Sequence, residues 1–391
     1  MGKDTDPDLD CVMDGNIIEP KKSAKHMGVM LCTDKTSEKN AIEERIGKAR
    51  GALMAARGMG SRAVCVPPAA LSKLYWSVSM PKLCYGLDVT NIDNSNMTLL
   101  ETSHRINSKI VQNVDMNVAT PAPLASVGWL SLTSYIDFTR IMFLFRILCL
   151  SDDNMYKNVL VYRLNSLRVC DESSMVMKSP VKMMYDTAKK YGLDDIISES
   201  IDNNNYFNVC YWKSIVKKTV WEVEIYKWKV TCSMYPNLHY YNKHIDKISM
   251  HPWWLFVNKN PYMSHKVSAL FSIFMGSEPR GFHIYEKNTF SYCMICQNNE
   301  KCEPVHILFK CVSTENERSR FLLKLSDAMP CEMLDLYMSM NYQNRAGFLF
   351  NGFNVKYTRE LDQVYIAAAN FIFNMYKRRY EIYDERNKGV T

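Results

Sequence analysis

"DKTSEKNAIEERIGKARGALMAARGMG", residues 34–60, decides the class of fold. Ile42, Ile46, Ala49 and Leu53 recur at spacings of three and four, while Glu43, Glu44, Arg45 and Lys48 fall opposite, which predicts an amphipathic helix. Asp34 or Ser37 can cap its start, and Gly58 and Gly60 end it. On the N-terminal side, residues 1–33 read as a loop followed by short strands. Asp14-Gly15 is hairpin turn chemistry between Val12 and Ile17, and "HMGVML" (26–31) is a short apolar run.

Helices follow on the other side. "PPAALSKLYWSVSMPKLCYGLDV" (67–89) opens with Pro67-Pro68, turns Leu71, Leu74, Tyr75 and Val78 inward, and should be kinked by Pro81. "NMTLLETSHRINSKIVQNV" (96–114) places Leu99, Leu100, Ile106 and Ile110 inward, with His104, Arg105 and Lys109 on or near the other side. "ATPAPLASVGWLSL" (119–132) reads as a loop by its prolines, ahead of an apolar helix at 132–150. From 151 to 250 the pattern is less regular, with "SDDN" and "DNNNY" marking loops. "YWKSIVKKTVWEVEIYKWKV" (211–230) interleaves aromatics with lysines. That mixture suits base stacking, but it suits a surface helix with aromatic anchors better.

A second stretch carries chemistry. "YCMICQNNEKCEPVHILFKC" (292–311) holds four cysteines, where thirteen in 391 residues would put about 0.7 in a window of twenty. Cys293-x2-Cys296 presents two thiolates from one turn, and His306-x4-Cys311 supplies a second pair, so the ligand set reads C-x2-C-x9-H-x4-C. Pro304 suits a helix start and puts His306 near it. Cys302 could substitute for one of the four, being four residues before His306. The pattern predicts one structural zinc ion, tetrahedral and with no open position; the alternative is buried or idle thiols.

The expected fold is therefore mainly α. A strand or hairpin segment (1–33) is followed by a helical bundle (34–150), a helical linker (151–275), a small zinc knuckle (276–325) and a helical tail (326–391). Net charge is +7 and the pI is near 8.6, a balance that permits a nucleic-acid partner without demanding one. The odd cysteine count and the polar opening "MGKDTDPDLD" point to an intracellular protein, nuclear or cytoplasmic and not secreted. The most apolar run, "IMFLFRILCL" (141–150), is too short for a bilayer and carries Arg146, so no membrane partner is expected.

No catalytic constellation is visible. Two-metal chemistry needs converging carboxylates. Asp152-Asp153 lies in a loop, and Asp194-Asp195 reads as a helix N-terminus, where acids suit the dipole. Phosphate-binding, nucleophile-elbow and H-E-x-x-H motifs are missing from the sequence.

Three blocks together resemble one family. "KHMGVMLCTDKTSEKNAIEERIGKARGAL" followed by "LSKLYWSVSMPKLCYGLDV" is similar to the segment after the palm of non-LTR (LINE-type) retrotransposon reverse transcriptases. The similarity runs through Leu74-Tyr75, Ser77-Val78, Pro81 and Tyr85-Gly86. "ATPAPLASVGWLSLTSYIDFTRIMFLFRIL" is similar to the next element, and the cysteine-rich stretch resembles the C-terminal knuckle, with Glu303, His306 and Cys311 in register. The resemblance covers roughly residues 12–150 and 290–325. It implies a thumb-like bundle, a linker and a knuckle without the fingers and palm, whose paired-Asp turn serves RNA-directed DNA polymerase activity. The chain is thus expected not to be an enzyme.

On this resemblance the partners are RNA, RNA–DNA hybrid or DNA, gripped through backbone phosphates. Lys48, Arg50, Arg57, Arg105 and Lys109 are candidates on the helices, and Lys310, Arg318 and Arg320 beside the knuckle. Two alternatives remain: a domesticated protein-interaction module, and part of a longer reverse transcriptase whose palm is encoded upstream.

Overall fold

The computed structural model describes residues 11–13, 16–18, 23–32, 34–59, 66–169, 179–203, 206, 208–275, 293, 295–296, 298, 300, 303–354 and 357–388. The architecture is mainly α, as expected, with short antiparallel hairpins near the N-terminus. Strands β1 (Cys11–Met13) and β2 (Asn16–Ile18) pair with Val12 opposite Ile17; the Asp14-Gly15 turn itself lies outside the described residues. Strands β3 (Ser23–His26) and β4 (Val29–Cys32) pair across Met27 and Gly28, both with left-handed φ.

Asp34 is the cap of α1 (Lys35–Gly58): its carboxylate accepts from the Ser37 backbone N–H at 2.8 Å and from the Ser37 hydroxyl at 2.9 Å. Ala49 and Leu53 are fully buried on the face that the periodicity assigned. The next segment departs from a simple helix. Helix α2 (Pro68–Leu74) widens into a π-type turn over Tyr75–Ser79 before α3 (Met80–Cys84). Pro81 has no N–H to give to the preceding turn, and the widened turn falls immediately before it. The extra residue rotates the face, so Val78, expected inward, is 41% exposed while Met80 and Leu83 are buried.

The chain after α3 returns to the second hairpin. The Tyr85 hydroxyl donates to the Met27 carbonyl at 3.0 Å, and the Arg45 guanidinium to the Tyr85 carbonyl. A Cβ at Gly86 would stand 2.6 Å from Val29 Cγ2, and Gly86 has φ +74°, so both space and backbone require glycine there.

Helix α4 (Asn94–Gln112) leads to α5 (Pro121–Ser126), where a loop was expected. Pro121 and Pro123 occupy the first turn, whose N–H groups have no acceptor within the helix, so they start the helix instead of preventing it. After α6 (Leu132–Leu148), the stretch whose pattern is less regular is helical, as expected of the linker: α7 (Met155–Val169), α8 (Pro180–Lys190), α9 (Asp194–Asp202) and α10 (Val209–Ser233). Asp194 and Asp195 sit in the first turn of α9, as expected. In α10, Trp212 and Trp228 are buried anchors, whereas Tyr211 and Tyr226 are exposed among the lysines. Helices α11 (His239–His244), α12 (Pro252–Lys259), α13 (Ser264–Phe274), α14 (Glu315–Ala328), α15 (Cys331–Ser339), α16 (Tyr342–Phe350) and α17 (Asp362–Lys388) complete the order. No helix among the described residues is long and apolar enough to cross a membrane.

The chain divides into two compact units that interleave segments instead of following consecutive stretches. The first comprises residues 1–52, 76–103 and 135–217, and the second residues 53–75, 104–134 and 218–391. In the first, α7 and α9 are joined by a bidentate pair, Arg168 to Asp202, with both contacts at 2.7 Å. In the second, rings fill the core: Trp254 stacks on Phe271 at 4.4 Å, Phe274 on Phe350 at 4.3 Å, and Trp253 meets Tyr365 edge-on at 4.6 Å. Helix α17 packs along α13 and α14, with Phe371 stacked on Phe321 at 4.2 Å.

His251 caps α12 through Nδ1, which accepts from the Trp253 N–H at 3.3 Å, and its ring lies against Phe271 and Phe350. Burial pushes this imidazole down to about 3. Folded and unfolded proton uptake therefore differ below pH 6.5, so stability present at neutral pH declines as pH falls from about 6.5 toward 3. His251→Asn keeps an acceptor for the cap and removes the titration. Its melting temperature is expected to fall less steeply between pH 6.5 and 4.5 than that of the parent protein, as measured by thermal denaturation across that range. Equal slopes would show that His251 does not govern acid sensitivity.

Candidate metal centre

Cys293, Cys296, His306 and Cys311 converge: their ligand atoms all lie within 4.8 Å of one another. Four donors around one zinc at 2.0–2.3 Å would stand roughly 3.3–3.8 Å apart, so the cluster needs only a small contraction to close on an ion. The four residues can hold a metal ion, and among the described residues they are the one such group of three or more. Cys302, the proposed substitute, lies outside the described residues.

Local backbone geometry brings the two pairs together. The Cys293 N–H donates to the Glu300 carbonyl at 2.8 Å, folding the first pair back over the loop. The second pair depends on a π-type turn over His306–Lys310. In an α-helix, residues five apart point about 140° away from each other. Here the Cys311 N–H reaches the His306 carbonyl at 2.8 Å, and the widened turn carries Cys311 back over His306. Pro304 does stand at the start of this helical segment, as the sequence suggested.

The imidazole is oriented for ligation. Its Nδ1 is 2.8 Å from Glu300 Oε2, which fixes the proton on Nδ1, and Nε2 faces Cys296 Sγ at 3.4 Å. A carboxylate behind a histidine is the usual support of a metal-bound imidazole. The hydrogen bond to His306 holds the Glu300 carboxyl below its ordinary range. The Cys311 thiol is shifted up by its hydrogen bond to Cys293 and by burial, and His306 is shifted up chiefly by its bond with Cys293. An incoming ion must displace those protons, so acid weakens metal binding.

Cys293, Ile295 and Cys311 are buried, with Cys296 and Ile382 packed against them. Arg379, on α17, is buried and donates through Nη1 toward Cys293 Sγ at 3.6 Å and Cys311 Sγ at 4.0 Å. Neither Glu300 nor Arg379 was identified from the sequence. Glu300 could have been found as an acid within the ligand loop; Arg379 is 68 residues beyond Cys311 and gives no sequence signal.

The basic candidates do not share one environment. Lys310 and Arg320 are exposed, while Arg318 donates to the Cys311 carbonyl at 2.8 Å and to Thr314 Oγ1 at 3.2 Å, so it braces the knuckle from within. Lys109, expected at the surface, is buried and donates to the Met116 carbonyl at 2.7 Å, and burial lowers its pKa. It is one turn from Arg105, which is exposed. Lys48 is exposed and paired with Glu44; Arg57 is half-buried and donates to Asn113 at 2.6 Å; Arg50 is half-buried with no hydrogen bond at Nε. Asp152 pairs with Lys157 at 2.6 Å.

Compared with family models, curated proteins and solved structures, the chain matches none.

Substituting Cys293, Cys296, His306 or Cys311 should each lower zinc content of the purified protein below half an equivalent, whereas Cys302→Ser should keep one equivalent. Elemental analysis after dialysis decides it. Retention of zinc by Cys311→Ser together with its loss from Cys302→Ser would replace the ligand set.

Proposed function

We propose that this chain is a nucleic-acid-binding protein without polymerase chemistry of its own, pinned by one structural zinc ion and gripping RNA or RNA–DNA hybrid through basic helices. Three thiolates and an imidazole form a soft, borderline donor set that suits zinc, and filling all four positions leaves none for water. The ion would supply local folding energy, with Cys293, Cys296, His306 and Cys311 holding it.

The observation that carries the reading is where the knuckle puts its cations. Lys310 is exposed and directly precedes the buried ligand Cys311, so metal binding would fix the base of that side chain. Arg320 and Lys324, four residues apart on α14, are exposed on one face of the helix that Arg318 ties to Cys311. Such fixed cations suit a sequence-independent grip on phosphates. A cavity of about 920 Å³ in the same unit, lined by Lys229, Lys243 and Lys247 with Asp246, adds a second cationic surface.

One observation favours a second reading. Leu322 and Leu323 lie exposed on α14 beside the same cations. Exposed leucines suit a protein partner where they join a larger apolar patch.

Fluorescence anisotropy with single-stranded RNA, RNA–DNA hybrid and duplex DNA separates the two. Binding should weaken with salt, and a Lys310→Glu/Arg320→Glu/Lys324→Glu variant should lose at least about tenfold in affinity, with a salt slope shallower by about 2–3. Leu323→Ser should leave it unchanged. No binding to any of the three nucleic acids at low salt would refute the proposal and leave the protein-interaction reading.

A further inference from the structure

We propose that Arg379 is the positioning residue through which the metal centre holds the last turns of α17, so that metal occupancy and docking of residues 376–388 are one coupled equilibrium. The inference rests on the metal-binding reading of the cysteine cluster.

The argument begins with charge. Three thiolates and a neutral imidazole around a divalent ion leave a net charge of −1 on a centre whose Cys293 and Cys311 sulfurs are buried. A buried charge is costly unless it is paired and hydrogen-bonded. Arg379 brings one positive charge to it, aimed at two of the three sulfurs at 3.6 Å and 4.0 Å. Donation to an ionised acceptor is the strong kind of hydrogen bond, and it is weakened when the sulfurs carry protons in place of the metal. The metal-bound form of the cluster is therefore the better partner for Arg379.

Helix α17 is held unevenly. Its first part is anchored independently of the knuckle: Val364, Tyr365, Ala368, Phe371, Ile372 and Met375 are buried, and Lys266 on α13 donates to Asn370 at 2.6 Å. Past Met375 the described buried side chain is Arg379, with Ile382 packed one turn later against the cysteine cluster. The two residues are three apart and lie on one face. Arg379 and Ile382 thus tie the C-terminal turns of the helix to the knuckle, whereas the N-terminal turns are tied to the core.

Coupling of this kind is reciprocal: what metal does for the helix, the helix must do for metal. Outer-shell partners of metal ligands typically govern affinity by 10–100-fold.

The test uses the full-length protein and has two readouts. Zinc content is measured first; less than one equivalent in the parent protein would refute the metal reading itself and with it the inference. With one equivalent bound, competition against a chromophoric chelator should show zinc affinity lowered roughly 10–100-fold in Arg379→Met, with partial recovery in Arg379→Lys. Hydrogen exchange of the parent protein should then show residues 376–388 losing protection when zinc is chelated, while residues 362–375 keep theirs. Unchanged affinity in Arg379→Met, or protection of 376–388 that ignores zinc, would overturn the coupling. Should Arg379→Met fail to fold, the Lys variant and the exchange experiment on the parent protein decide alone.

Discussion

One buried amide ties the second unit together. Gln112, at the C-terminal end of α4, is fully buried, and its side chain donates to the Ser108 and Pro123 carbonyls at 2.9 and 2.7 Å while accepting from the Trp254 indole at 3.1 Å. Its own carbonyl accepts from the Ser268 hydroxyl at 2.9 Å. Helices α4, α5, α12 and α13 therefore meet on one residue. Each of these groups is buried where water cannot replace the missing partner, and leaving one unsatisfied costs about 1–3 kcal/mol. Such a network ties four helices to one residue, with each partner set by a directional hydrogen bond. The same bond holds the Trp254 indole where it stacks on Phe271.

The knuckle is built on the opposite principle. Its four candidate ligands come from two short turns, the second of which buries Ile307, Leu308 and Phe309, yet what brings the donor atoms together is local backbone geometry. The π-type turn at His306–Lys310 aligns two candidate ligands, Glu300 orients the imidazole, and Arg379 reaches in from a helix whose earlier turns the hydrophobic core has placed. Local geometry sets the ligand pairs, and tertiary packing sets the charge around them.

This division explains what could be read in the sequence. Features fixed by a few neighbouring residues were legible: the Asp34 cap, the acids opening α9, the pairing of Val12 with Ile17, and, by spacing, the convergence of Cys293, Cys296, His306 and Cys311. Features fixed by backbone adjustment or distant partners were not. Val78 left its expected face because the helix widened before Pro81, and Pro121 and Pro123 began a helix where a loop was read. Lys109 and Arg318 read as surface charges because a carbonyl acceptor has no signature in sequence. The interleaving of the two units was likewise invisible, since α1 and α10 are each continuous by periodicity yet pass from one unit to the other.

The same distinction bears on where binding could reside. A net charge of +7 over 391 residues is not by itself a binding surface, and several of the cations that make it up are spent internally. Arg318 braces the Cys311 carbonyl, Arg57 holds an asparagine, and Arg379 faces sulfur. Phosphate recognition draws on cations that are both exposed and fixed, because a mobile lysine loses conformational entropy on binding that a fixed one has already lost. Lys310, Arg320 and Lys324 are exposed, and their backbone belongs to helix α14 or to the turn that ends at Cys311. On the proposed function, then, zinc acts on nucleic-acid affinity through the backbone that carries these side chains, without touching the nucleic acid.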